Sequence, residues 1–462
     1  MNLPHPFEER MQRLLGAEYP AFRASLDEPP RRGLRLNLCK APSDLPLPFS
    51  TQPVPWCPSG RLYTGDERPG LHPWHDAGVY YIQEPSAMSV AEAAAPRPGM
   101  RVLDLCAAPG GKSSHLASLM GDRGLLVSNE IHPGRAKILS RNIERMGLRN
   151  TLVTNESPAR LAGRFSGFFD LVVVDAPCSG EGMFRKEEAA VTEWSPETVA
   201  LCAARQDEIL DEAARMLAPG GALVYSTCTF APEEDEGSVS RFLARHPDFA
   251  SAPLPDCPGS LPGQPGWIDS PAPGLEQAHR LFPHRLPGEG HFVARLVRAG
   301  QGGGIPFPLP PRSGRASEKP PRTDLSPWRQ FCVDTLAAPL PGEPVLFGDT
   351  LCLLPEEVPS RAALDGLRVL RAGLVLGQLK KGRFEPDHAL ALALRPGELG
   401  RTLPLTAGDP RTLAYLKGET IPVPPELSGY LTVTVDGFPL GWGKASGGVL
   451  KNHYPKGLRR LG

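Results

Sequence analysis

Five short, almost wholly apolar runs constrain this chain more than any other feature. They read "RVLDL" (101–105), "GLLVSNE" (124–130), "NTLVT" (150–154), "DLVVVDA" (170–176) and "GALVYST" (221–227). Near-continuous apolar character, rather than alternation, is what a strand needs when both of its faces are covered. Helical patterns lie between the runs. "PGRAKILSRNIERMG" has Pro133 near its start and Gly147 at its end. The segment from Ser195 offers that serine as N-cap and Pro196 at the first helical position, with Val199, Cys202, Ile209, Leu210, Ala213 and Leu217 at helical spacing. Strands alternating with helices mean βαβ units, hence an α/β fold whose open parallel sheet binds ligands beyond the carboxyl ends of its strands. "HRLFP" followed by "GHFVARLVR" predicts a closing antiparallel hairpin.

On either side of this region the pattern changes. Residues 298–327 are dense in Gly and Pro and hold little to bury, so they read as a linker. The expected partition is an N-terminal extension (1–75), a central catalytic domain (76–298), the linker proper (299–325), an intermediate module (326–395) and a last module (396–462). In the first, "FEERMQRLLG" predicts a helix with Phe7, Met11, Leu14 and Leu15 on one face, and "GLRLNLC" a strand, which together suggest a small α+β domain. The last two show short β runs broken by Gly and Pro, a β-rich region.

Composition excludes several classes. No apolar run approaches the roughly 20 residues of a membrane span, and "MNLPHPFEER" has no apolar signal-type segment, so a soluble cytoplasmic protein is expected. Nine cysteines without a C-x-x-C pair argue against a disulfide framework and a zinc knuckle; free thiols and no metal are expected. The net charge of −1 announces no polyanionic partner. Local clusters do better: Arg31, Arg32, Arg35 and Lys40 form one basic run, and Lys444, Lys451, Lys456, Arg459 and Arg460 another, with Asp436 the one acid after residue 429. They read as phosphate contacts or as ordinary solvated faces.

"DLCAAPGGKSS" (104–114) looks like a phosphate-binding P-loop with Cys106 where the first glycine belongs. That cysteine and Pro109, which removes a backbone donor, count against a phosphate cradle. The other reading is an S-adenosylmethionine loop. Asp104 would hold the ligand's ammonium group, and Ala107, Ala108, Gly110 and Gly111 let the backbone approach closely. Glu130, 26 residues after Asp104, stands where such a sheet places an acid on the ribose hydroxyls. A tight βα turn without a cofactor remains the plain alternative. "DAPCSGEGMFRK" and "YSTCTFAPEEDEG" follow the fourth and fifth strands, so Cys178 and Cys228 should face one crevice. An isolated thiol at a strand end is more often a small buried hydrophobe; two at adjacent strand ends among small polar residues are harder to explain as packing.

With "HDAGVYYIQEPSAM", "DLCAAPGGK", "DAPCSGEGMFRK" and "LVYSTCTFAPEEDE" in that order, and with "QLKKGRFEPDHALAL" and "GWGKASGGVLKNHYPKGLR" beyond the core, the chain resembles the Sun-type family of RNA cytosine-5 methyltransferases, most closely its ribosomal RNA branch typified by RsmF. The resemblance implies a Rossmann-like S-adenosylmethionine-dependent methyltransferase sheet, an RNA-binding N-terminal extension and a PUA-like RNA-binding C-terminal module. It implies a cofactor segment of Cys106, Ala107, Ala108, Pro109, Gly110, Gly111 and Lys112, a ribose acid Glu130, a catalytic-pocket acid Asp175 and a nucleophile Cys228. Cys178 would assist elimination, and Lys112 would orient Asp175 or simply cap the loop. Ser157 stands where many relatives place an adenine-contacting aspartate, and "EGHF" puts His291 where an aromatic is common, with no role assigned to it. The partner implied is ribosomal RNA or the small ribosomal subunit, and a monomer is expected. The rivals are a transfer RNA cytosine-5 methyltransferase and an inert RNA-binding assembly factor.

Overall fold

The computed structural model describes residues 1–302, 306–309, 324–380 and 382–460. The chain opens with a helix, His5–Leu15, which fully buries Phe7 and Met11 and partly buries Leu14 and Leu15. Strands β1 (Arg32–Leu36), β2 (Thr51–Val54), β3 (Cys57–Tyr63) and β4 (Tyr80–Ile82) then form an antiparallel sheet ordered β2-β3-β1-β4. β4 lies beyond residue 75, so the N-terminal sheet borrows the first part of the segment that the sequence pattern assigned to the central domain.

The five apolar runs become β5 (Arg101–Asp104), β6 (Leu125–Asn129), β7 (Thr151–Thr154), β8 (Phe169–Asp175) and β9 (Leu217–Thr227). They pair in parallel in the order β7-β6-β5-β8-β9. Their residues are buried almost without exception, which is why the runs read as continuous rather than alternating. The predicted helices are Pro133–Met146 and Pro196–Met216, the second capped by Ser195 Oγ accepting from Thr198 N at 3.2 Å. Beyond β9 the sheet continues antiparallel. β10 (Phe249–Ala252) pairs with the later β13 edge, and β11 (Leu261–Pro262), β12 (His279–Leu281) and β13 (His291–Arg298) complete the expected hairpin. The strand order reverses between β5 and β8, which marks the carboxyl ends of those two strands as the place where such a sheet binds its ligands.

The C-terminal third makes two smaller sheets. β14 (Pro344–Phe347) and β15 (Thr350–Leu353) come first; β16 (Val369–Ala372) leaves them to pair antiparallel with β7 at the edge of the central sheet. β17 (Leu374–Lys380) and β18 (Arg383–Pro386) complete the first small sheet. β19 (Thr402–Leu405), β20 (Ile421–Pro422), β21 (Gly429–Val435), β22 (Phe438–Ser446) and β23 (Val449–Asn452) form the second, ordered β19-β21-β22-β23-β20. Between them the helix His388–Ala393 is buried at every position. Arg149 paired with Glu398, Arg395 with Asp122 and Arg460 with Asp76 tie this third of the chain to the rest.

Two expectations need correction. The linker is not uniformly without burial: Phe307 is 7% exposed and packs its ring 5.6 Å from those of Phe165 and Phe168. Its residues 303–305 and 310–323 lie outside the described residues. The Arg31–Lys40 run is not one basic surface. Arg35 is fully buried, donating to Gln83 Oε1 and Ser114 Oγ, and Lys40 is spent on the carbonyls of Ala77 and Arg145, with burial pushing its pKa well down. Of the second run, Arg460 is tied to Asp76 and the Leu71 carbonyl, while Lys444, Lys451 and Lys456 are exposed. Among the described residues no helix is long and apolar enough to cross a membrane.

Candidate active site

The loop after β5 is pinned from three sides. Ala107 N donates to the Asn129 carbonyl at 2.8 Å; Arg135 and Asn142, from the helix Pro133–Met146, donate to the carbonyls of Ala108 and Pro109, both at 2.8 Å. Gly110 has φ +111°, and a Cβ there would sit 3.1 Å from Leu139 Cδ1, so glycine is needed both for conformation and for space. The helix Gly111–Met120 starts immediately after, its N-terminus at the crevice.

Asp104 is fully buried. Ser113 Oγ donates to its Oδ2 at 2.6 Å, while Oδ1 has no partner. Burial raises its pKa to about 7, and the nearby carboxylates of Asp175 and Glu130 push the same way. A buried acid with one free carboxylate oxygen, close to two more acids, is a site suited to a cation, and an amino acid bearing an ammonium and a sulfonium fits it. Glu130, also buried, accepts from His132 N at 2.8 Å and lies 3.5 Å from Arg135. Ser157 Oγ caps the helix Pro158–Arg164 by accepting from Arg160 N at 3.4 Å. Asn129 and Asn155 hold the strand-end loops by donating to the carbonyls of Leu105, Glu156, Glu130 and Ile131.

Across the switch point, Lys112 Nζ donates to Asp175 Oδ2 at 2.7 Å and Ser226 Oγ to Asp175 Oδ1 at 2.9 Å. Burial opposes ionisation of Asp175, but the Lys112 ammonium outweighs it and holds the carboxyl well below the usual carboxylate range. Asp175 is therefore an ionised acceptor. Cys178 and Cys228 meet beside it, their sulfurs 3.4 Å apart, so the two motif thiols do share one crevice. The Cys228 contact and burial push the Cys178 thiol well up. Burial also raises Cys106, which stays a thiol of the loop.

The acidic stretch after Cys228 is a buried scaffold. Glu234 accepts from Ser179 N at 3.0 Å and Gln206 Nε2 at 2.8 Å, gripping the Cys178 loop. Asp235 accepts from Thr227 Oγ1 at 2.6 Å, and Arg280 pairs with both Asp235 and Glu236. Glu181, fully buried, joins Arg10 of the first helix to Trp194 Nε1 and Phe230 N. Glu84, in "QEPSAM", accepts from Ser86 and from Glu289 N. Sequence reasoning gave none of these a role; the signal available was several acids inside motifs otherwise poor in charge. Away from the crevice Cys57, Glu92 and His115 also approach one another, with His115 Nε2 3.0 Å from Glu92 Oε1.

Comparison with known proteins accounts for nearly the whole chain. Residues 91–297 match the family model of the 16S rRNA methyltransferase RsmB/F, and residues 3–85 that of the N-terminal domain of 16S rRNA methyltransferase RsmF. Residues 330–394 match the RsmF first C-terminal domain and 403–460 the methyltransferase RsmF PUA domain. The ribosomal RNA small subunit methyltransferase F of Erwinia tasmaniensis is 32% identical over 99% of this chain and 97% of its own length. That of Serratia proteamaculans is 33% identical over 100% and 97%. Among solved structures, a methyltransferase homolog from Pyrococcus horikoshii, 28% identical, covers 63% of this chain and 93% of its own with a TM-score of 0.57. The fold is thus Rossmann-like with an N-terminal domain and a PUA-like C-terminal domain, and the cofactor is S-adenosylmethionine. The chain belongs to the 16S rRNA methyltransferase RsmB/F family.

Proposed function

We propose that the protein methylates C5 of cytosine in small-subunit ribosomal RNA through a covalent bond between Cys228 and C6 of the base. The observation that carries this reading is the pair of thiols 3.4 Å apart beside the Lys112–Asp175 pair. C5 of cytosine is too weak a nucleophile to take a methyl group unaided; a thiolate added at C6 makes C5 an enamine carbon. When bound, the cofactor supplies an electrophilic methyl group.

The chain's residues do the rest. Asp104 and Glu130 would hold the ammonium and the ribose, and the backbone from Cys106 to Gly111 would line the cofactor's place. Ser157 Oγ accepts at its helix N-terminus, so it offers adenine only its hydroxyl hydrogen, and the other contacts fall to backbone and neighbouring side chains of that loop. Lys112 lies near Cys228. Asp175, kept ionised, accepts from the base's exocyclic amine. Cys178, a thiol in contact with Cys228, assists its departure. The target base must leave the stack, which costs a few kcal/mol and least in loops and junctions. The N-terminal domain and the PUA-like module bind the flanking RNA. On the latter, Tyr430, Lys444 and Lys451 stand in one row across β21, β22 and β23, with Lys444 Nζ 5.2 Å from the Tyr430 ring centre.

Bisulfite sequencing of ribosomal and transfer RNA from a deletion strain tests the reading. Loss of one or more 5-methylcytosines from 16S RNA is expected; loss from transfer RNA alone would select the rival substrate, and no loss anywhere the inert factor.

A further inference from the structure

The chemistry proposed above ends with removal of the C5 proton, and the groups already assigned are poorly suited to it. Lys112 is kept an ammonium: burial opposes its charge, but Asp175 raises its pKa. Asp175 accepts from Lys112 and Ser226 and is a weak base. Cys178 is kept a thiol by Cys228 and burial. Cys228 is the atom bonded to C6.

His291 is placed differently. β13 runs antiparallel to β9 with Phe292 opposite Thr227, the residue before Cys228, and His291 is the residue before Phe292; both chains therefore leave the pair at the same end of the sheet. β8 and β9 place Asp175 beside Ser226, two residues before Cys228, which follows directly on the end of β9. Asp175, Cys228 and His291 thus come from three adjacent strand ends. His291 Nδ1 lies 2.8 Å from the Gly290 carbonyl, which can only accept; the hydrogen of the neutral ring is on Nδ1 and the lone pair on Nε2. Nε2 is buried, has no hydrogen-bond partner, and lies 3.9 Å from Asp175 Oδ1, too far for a bond. The backbone that aims the ring is fixed: Gly290 has φ +121°, and a Cβ there would meet the Phe230 ring at 2.4 Å.

We infer that His291 Nε2 is the base that takes the proton from C5. The electrons of the C5–H bond form the C5–C6 double bond, the bond from C6 to Cys228 Sγ breaks, sulfur leaves as thiolate, and the proton becomes the Nε2–H of an imidazolium. That cation faces Asp175 from β8 and, through Ser86, Glu84 from the segment after β4; Cys228 follows the end of the neighbouring β9, with Lys112 paired to Asp175 and Lys186 near Glu84. The inference rests on Cys228 being the nucleophile.

The test compares methyl incorporation with tritium release from RNA carrying [5-³H]cytidine, in the wild type, His291→Gln and His291→Phe, with calorimetry of S-adenosylmethionine as a check of folding. In variants that bind the cofactor, methyl groups should still enter a denaturant-stable protein–RNA adduct while tritium release falls about a hundredfold. The acid limb of the wild-type tritium-release profile should vanish, and added imidazole should restore release in His291→Ala. Peptide mapping of the wild-type adduct keeps the two readings apart. With the adduct on Cys228, tritium release that still matches methyl transfer in the variants, with the wild-type pH profile, overturns the base alone; an adduct on Cys178 overturns both.

Discussion

The two halves of the crevice are held together in different ways. On the β5–β6 side the contacts are local: Ser113 to Asp104, Ala107 to Asn129, Arg135 to Ala108 and Asn142 to Pro109 all join residues within one or two βα units. On the β8–β9 side they come from across the chain. Arg10 reaches Glu181, Ser86 reaches His291, and Arg185 reaches Glu289, which also accepts from Arg31 N. The β5–β6 half is thus held largely within one supersecondary unit, with Arg35, donating to Ser114 Oγ, the contact from outside it, whereas the β8–β9 half is a keystone between the N-terminal domain, the hairpin and the sheet. Damage to the first should stay local, and damage to the second should spread.

The largest effect expected is on the thiols of the catalytic half. Cys228→Ala should take both turnover and adduct formation to background, whereas Cys178→Ala should form an adduct that survives denaturing gels and is not released. The opposite pattern would exchange their roles, and normal turnover in both would remove the thiols from the mechanism. Cofactor affinity should be unchanged in either variant, since neither thiol lies on the local half.

Arg280→Met tests the keystone itself. Removing a fully buried guanidinium leaves Asp235 and Glu236 uncompensated, and breaking such a pair costs about 3–5 kcal/mol. Denaturant unfolding should show that loss. Stability within about 0.5 kcal/mol of wild type would mean that the buried acids hold nothing together.

Glu130→Ala probes the local half. A ribose diol losing a charged acceptor forfeits roughly 1.5–3 kcal/mol, about 10- to 100-fold in cofactor Kd by calorimetry, with unfolding little changed. An unchanged Kd would reduce Glu130 to a partner of His132 and Arg135.

The smallest effect is a pH dependence. Asp104 must be ionised to pair with a cation, and its pKa stands at about 7. Cofactor affinity should therefore rise with pH, at most about tenfold per unit, and level off above about pH 7; Asp104→Asn should flatten the slope. In the free protein the sign reverses. An acid whose folded pKa lies above its unfolded value of 3.8 costs nothing below that value, and its cost grows as pH rises to about 7, then stays constant.

Legibility followed the same divide. The five central strands, both long helices and the hairpin appear where the apolar runs and caps put them, because burial on both faces writes itself as a contiguous pattern. The short runs of the C-terminal third promised β structure without saying that β16 would desert its neighbours for β7; an edge strand is chosen by a distant partner, not by its own residues. The basic run from Arg31 to Lys40 misled for a related reason. Charge in a sequence carries no burial, and Arg35 and Lys40 are consumed by interior acceptors.

By itself, then, the sequence determined the parallel sheet, the loop from Asp104 to Lys112 and the placing of Cys178 and Cys228 at neighbouring strand ends, since each follows from periodicity or from one βα unit. Only the tertiary structure decided that Lys112 holds Asp175 ionised while Ser226 donates to it, that the acids after Cys228 clamp both thiol loops, and that His291 turns a bare nitrogen toward Asp175. Those groups meet through register between strands far apart in the chain, and hydrogen bonds and charge in a dry interior depend on that register, which no local pattern encodes.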